Sequence, residues 1–239
     1  MATMDLAGII SFRVPRLRFK AKNLDVALAL VATFLLPLAC MLLLDWSGAL
    51  LPLALYYGGF CFLLVYWRKG SLEYYRPVSW VLPLFIFLIA VQLLTQVAGT
   101  LTIIPANDDV LGVALTLLIW VPLNAFAEQL LWVYIFDSFE TRWTERRKRL
   151  VRGVVGILMT MIFVGMIHAL FWGSFLPSFE SVSPWSYIFF ATQFIITPGY
   201  LFLYRRSGSM WPIFIIHIIA DATLVLTAMY SIIPDLWTL

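Results

Sequence analysis

Apolar residues run along this chain in long blocks, and the short stretches between the blocks hold nearly all of its charge. The blocks fall at about 26–44, 49–67, 78–98, 110–136, 153–173, 185–204 and 210–230. Each is long enough to cross ~30 Å of hydrocarbon as a helix. The pattern predicts an all-α, polytopic transmembrane helix bundle of about seven spans, or eight elements if the N-terminal arm adds an interfacial helix. Residues 1–24 mix Ile9, Ile10, Phe12, Leu17 and Phe19 with five basic residues, which is the composition of an arm lying on a membrane surface. No repeat, low-complexity tract or long polar linker interrupts the remainder of the chain, so 25–239 reads as a single transmembrane helical domain.

The basic residues set an orientation. Seven crossings divide the connections into two alternating sets, and all 16 Lys and Arg fall in one of them. That set comprises the N-terminal arm, then Arg68, Lys69 and Arg76, then the run from Arg142 to Arg152, then Arg205 and Arg206. Cytoplasmic loops retain Lys and Arg, so the N-terminus is expected inside and the C-terminus outside. The run at 137–152 reads as a solvated or lipid-facing loop.

Composition agrees with the pattern and narrows the functions. Hydrophobic residues make up 62% and charged residues 12%, against about half and about a quarter in a soluble domain. A net charge of +3 follows from the positive-inside bias and from anionic lipid, so no nucleic-acid partner is expected. Membrane lipid is the expected surrounding partner. Cys40 and Cys61 lie inside apolar blocks and read as small core residues.

Within the blocks as bounded above, the ionisable side chains are Glu128, His168, His217 and Asp221. A charge among lipid tails is costly, so such residues mark a site unless they only join helices. His217 and Asp221 are one turn apart on one helix, and Glu128 shares a face with Asn124. His168 stands alone, with Gly165 beside it to admit a neighbouring helix. Gln92 and Gln96 read as packing glue. At ~1.5 Å per residue, Glu128 lies ~13 Å from the basic side, His217 ~16 Å, Asp221 ~22 Å and His168 ~24 Å. The four can meet in the cytoplasmic half of the membrane.

In this order, the residues resemble the motifs of the CAAX prenyl protease and bacteriocin-processing family, also called the Abi family of intramembrane glutamate proteases. A Glu-Glu-x-x-x-Arg motif corresponds to the segment Ala127–Tyr134, which keeps Glu128 but has Gln129 and Val133 in place of the second Glu and the Arg. Phe-x-x-x-His corresponds to Val164–His168, and the final His with Asn or Asp four residues later is intact as His217 and Asp221, preceded by Trp211-Pro212. Losing both members of a buried ion pair can be nearly neutral, whereas losing one leaves an uncompensated charge.

The resemblance implies that Glu128 takes a proton from water, that His168 holds and polarises that water, and that His217, oriented by Asp221, stabilises the oxyanion. Asn124 and Gln129 would support them. It also implies a membrane-associated peptide or protein substrate, no cofactor, and an integral multi-pass location, expected to be a prokaryotic cytoplasmic membrane. Zinc held by Glu128, His168 and His217 is an alternative, although the His-Glu-x-x-His signature is missing. A non-catalytic scaffold on the same fold is a second reading. A proton-coupled transporter using the four residues as a relay is a third.

Overall fold

The computed structural model describes residues 19–143, 146–178 and 183–236. Among these, seven helices are long and apolar enough to cross a membrane, and there is no strand. They are α1 (Asn23–Ser47), α2 (Leu50–Lys69), α3 (Leu82–Thr100), α4 (Val110–Glu140), α5 (Arg146–Leu170), α6 (Pro184–Ser207) and α7 (Trp211–Ala228). All seven expected blocks are helices, and the protein is an integral, multi-pass membrane protein. Most of the N-terminal arm lies outside the described residues. Its last residues are attached to the bundle, with the Ala21 amide donating to Thr141 Oγ1 at 3.1 Å.

Helix α4 occupies the centre, packed against α1, α2, α5 and α7. Every residue from Ala127 to Glu140 is buried, as expected of a helix enclosed on all sides. Glycine sets the closest approach to α5. A Cβ on Gly156 would lie 2.8 Å from the Phe136 carbonyl oxygen, so a side chain there would force the helices apart. Gly165, expected to admit a neighbour, instead faces open space.

Three helices are wound more widely over part of their length, as π-helix at Val31–Leu35, Ala54–Leu64 and Thr116–Trp120. Proline accounts for two of them. The rings of Pro37 and Pro122 crowd the carbonyls four residues back, at Thr33 and Leu118, and each of those lies in a widened turn. In α2 the wide stretch contains the Gly58-Gly59 pair.

Charge within the helices is more extensive than the apolar blocks implied. Helix α4 runs on to Glu140 and α1 begins at Asn23, which carries block-end charges into helix contacts. Asp25 accepts from Arg68 Nε at 2.7 Å and from the Tyr134 hydroxyl at 3.2 Å. Lys69 pairs with Glu73 and with Asp137, while Arg205 pairs with Asp137 and with Glu140 at 2.9 Å. Lys69, Asp137, Glu140 and Arg205 are almost wholly buried. These pairs tie the start of α1 and the ends of α2, α4 and α6 into one basic end of the bundle. The segment 137–152 is correspondingly not a free loop, since it is helical up to Glu140 and again from Arg146.

Candidate functional site

Glu128 lies in the buried run of α4, one turn after Asn124, and both point toward α2 and α7. Its Oε1 accepts two hydrogen bonds, from the Tyr56 hydroxyl on α2 and from Trp172 Nε1, each at 2.9 Å. Trp172 belongs to a single 3₁₀ turn, Trp172–Ser174, that comes after α5, and its side chain is buried. Its ring meets those of Tyr56, Tyr57, Trp120, Phe171 and Phe175. One oxygen of the carboxylate is thereby held by two neutral donors inside an aromatic wall.

The other oxygen faces α7. Oε2 lies 3.7 Å from His217 Nε2, and Asp221 Oδ1 lies 3.6 Å from the same nitrogen. Both separations exceed hydrogen-bond length, so the imidazole edge sits between two carboxyl groups without being closed by either. The ring is stacked on Trp132, with centroids 5.1 Å apart and planes 28° apart, and its Nδ1 is buried without a partner.

A second chain of hydrogen bonds runs alongside. The Tyr57 hydroxyl donates to Asn124 Oδ1 at 2.6 Å, and Asn124 Nδ2 donates to Asp221 Oδ2 at 2.9 Å. It links α2 to α7 through α4 and fixes the face that Asp221 presents to His217. The amide of Asn124 has both its oxygen and its nitrogen engaged, so its orientation is determined by its partners.

Two of the six residues read from the sequence sit apart from this group. His168 is exposed at the edge of α5, whose inward face includes Phe163 and Ile167, with buried Phe171 just past its end. Its Nδ1 lies 2.7 Å from the Val164 carbonyl. A carbonyl only accepts, so Nδ1 carries a proton, and a ring with that tautomer presents its lone pair at Nε2. A charge on His168, when the ring is protonated, is near enough to act on Glu128, His217 and Asp221, but among the described residues it makes no hydrogen bond to them. From this end of α5 the side chain that touches Glu128 is that of Trp172.

Gln129 points the other way. Its Nε2 donates to the Tyr74 hydroxyl at 2.5 Å and to the Met210 carbonyl at 3.4 Å, which fastens α4 to the 70–81 connection and to the start of α7. Burial pushes the Tyr74 phenol up, so it stays protonated and donates to the Phe126 carbonyl at 2.8 Å. Gln129 Oε1 is buried without a partner, and the residue one turn on is Val133. An arginine in that place would have supplied a donor on the same helix face.

Tyr56, Tyr57 and Trp172 were not found by sequence reasoning. Each lies in or beside an apolar block, where aromatic residues are ordinary, and only the carboxylate and amide they contact distinguish them. Among the described residues, no three His, Cys, Asp or Glu side chains are placed to hold a metal ion together.

No curated protein and no solved structure matches the chain. One family model does match, over residues 110–223, from the start of α4 to within α7. The matched segment contains Glu128, His168, His217 and Asp221, the residues on which the motif resemblance rests. The model is that of the type II CAAX prenyl endopeptidase Rce1-like family, and residues 110–223 are similar to it.

Proposed function

We propose that the protein is an intramembrane glutamate-type endopeptidase that cleaves a membrane-associated peptide or protein near the basic side of the bundle. The observation that carries this reading is the asymmetry of Glu128. Its Oε1 is saturated by Tyr56 and Trp172, while Oε2 faces His217 at 3.7 Å with no hydrogen bond to satisfy it. A water on Oε2 is in position to give up a proton there as its oxygen attacks the scissile carbonyl carbon.

His168 Nε2 supplies a lone pair to the same water when substrate covers the exposed edge of α5. Carboxyl oxygens on both sides of His217 Nε2 favour a proton on that nitrogen, which makes it a donor to the oxyanion. Asp221, held by Asn124, orients the ring. As the tetrahedral intermediate collapses, the C–N bond breaks and the proton held by Glu128 passes to the leaving nitrogen. No step in this scheme uses a metal.

The test is cleavage of a membrane-associated peptide by purified protein, with and without a strong chelator. Activity should persist in chelator. Glu128→Ala, His168→Ala and His217→Ala should each lower turnover by about 10² or more. Loss of cleavage in chelator would assign the site to zinc. A non-catalytic role is favoured by one observation, the exposure of His168 with Nδ1 tied to its own helix. That reading requires the Glu128→Ala protein to keep full cellular function.

A further inference from the structure

A groove of about 320 Å³ opens at the basic end of the bundle, lined by Asn23, Val26, Ala27 and Leu30 of α1, by Phe139 of α4, and by Arg142, Trp143 and Arg152. The α1 residues are spaced three and four apart, so they form one continuous strip, apolar from Val26 onward. Phe139, which is buried, forms the floor. The groove is therefore apolar along its length and cationic at its mouth.

The two guanidiniums share one indole. Arg142 lies 5.1 Å and Arg152 5.9 Å from the centre of the Trp143 ring. Arg142 Nε and Nη2 both donate to Asn23 Oδ1, at 3.0 and 2.8 Å, a neutral partner that does not itself compensate the charge. Among the described residues, neither arginine has a carboxylate partner and no carboxylate lines the groove. This contrasts with Lys69 and Arg205 nearby, each of which is paired with two acids. A tryptophan at the end of a crossing helix marks headgroup depth.

We propose that this groove is a binding site for an anionic phospholipid, with the phosphate between Arg142 and Arg152 and an acyl chain along Val26, Ala27 and Leu30. Charge complementarity selects an anion, and the apolar strip, which a free anion would not use, selects one with a hydrocarbon tail. Phe139 is eleven residues beyond Glu128, ~16 Å along the helix axis, so the site is separate from the carboxylate centre and does not depend on the protein being a peptidase.

The experiment is native mass spectrometry of the purified full chain in mixed micelles containing equal phosphatidylglycerol and phosphatidylcholine of the same acyl chains. Phosphatidylglycerol should be retained preferentially. Arg152→Gln, which breaks no hydrogen bond among the described residues, should weaken that retention about five-fold, the worth of one guanidinium near an anionic headgroup. Leu30→Trp should reduce retention by filling the groove while leaving both charges in place. Thermal unfolding of each variant verifies that the bundle is intact, and Arg142→Gln serves as a second charge variant. Equal retention of the two lipids, or unchanged preference in Arg152→Gln, would overturn the proposal. So would displacement of phosphatidylglycerol by millimolar inorganic phosphate alone, which would mark a site for the free anion.

Discussion

The Tyr56 hydroxyl on α2 donates to Oε1 of Glu128 on α4 at 2.9 Å, and both side chains are buried. With Trp172 on the same oxygen, it leaves Oε2 as the one available for chemistry. A hydrogen bond to a charged group is worth about 1.5–3 kcal/mol. Tyr56→Phe should therefore lower peptide turnover roughly ten- to a hundred-fold while the thermal unfolding midpoint changes little, and Trp172→Phe should act in the same direction. Undiminished turnover in the double variant would show that the carboxylate is oriented by something else.

The paired charges at the basic end should dominate stability. Arg205 is shared between Asp137 and Glu140, all almost completely buried. Arg205→Met removes a buried cation that Asp137 and Glu140 share, and breaking such a pair costs about 3–5 kcal/mol. The variant should unfold at a markedly lower temperature in detergent or fail to accumulate in membranes. A midpoint equal to that of the parent would contradict the assignment.

Two glycines on α5 should respond in opposite ways to the same change. Gly156→Val places a side chain against the Phe136 backbone, where nothing can yield without parting α4 from α5. Gly165→Val adds atoms to open space. Overpacking costs about 1–3 kcal/mol, so only the first variant should lose thermal stability. Similar losses in both would mean that helix propensity, not contact, decides.

Asp235 lies beyond α7, and its carboxyl is pushed up by burial, drawn back by the Tyr230 hydroxyl at 2.8 Å, and raised again by Asp108. A raised value in the folded state means that folding favours the protonated form. The stabilisation is present below the ordinary carboxylate value of about 3.9 and is lost as pH rises through the folded value. Asp235→Asn should flatten this part of the stability profile, so that the variant gains on the parent with rising pH. A constant difference in unfolding midpoint across that window would rule the mechanism out.

The span count was legible because hydrocarbon thickness fixes how long an apolar block must be, and all seven blocks became helices. Glu128, His217 and Asp221 were legible because a carboxylate or imidazole inside such a block has no cheap explanation. The Asp137–Arg205–Glu140 cluster was not, since charges at block ends are ordinarily read as facing water. Only the extension of α4 past residue 136 brings them inside. Tyr56 and Tyr57 were hidden for the opposite reason, because a phenol suits an apolar helix and its hydroxyl acquires meaning only beside Glu128 and Asn124. His168 shows a limit of spacing arguments, as residue counting sets its depth but not which side of α5 it occupies.

The wide winding of α2 makes the site sensitive to chain length as well as to residue identity. Tyr56 and Tyr57 are adjacent, yet they serve Glu128 and Asn124, and they do so from within the π-helical stretch Ala54–Leu64. Such a stretch accommodates an extra residue relative to an α-helix. Deleting Gly59 while the wide winding persists would turn the tyrosines by roughly 100°, the rotation of one helical residue, relative to the later part of the helix. The crossing would remain long enough to span the membrane, but the phase that aims both hydroxyls at α4 would be gone. A change of one residue in length, with no polar group altered, is thus able to uncouple the helix from the carboxylate it supports.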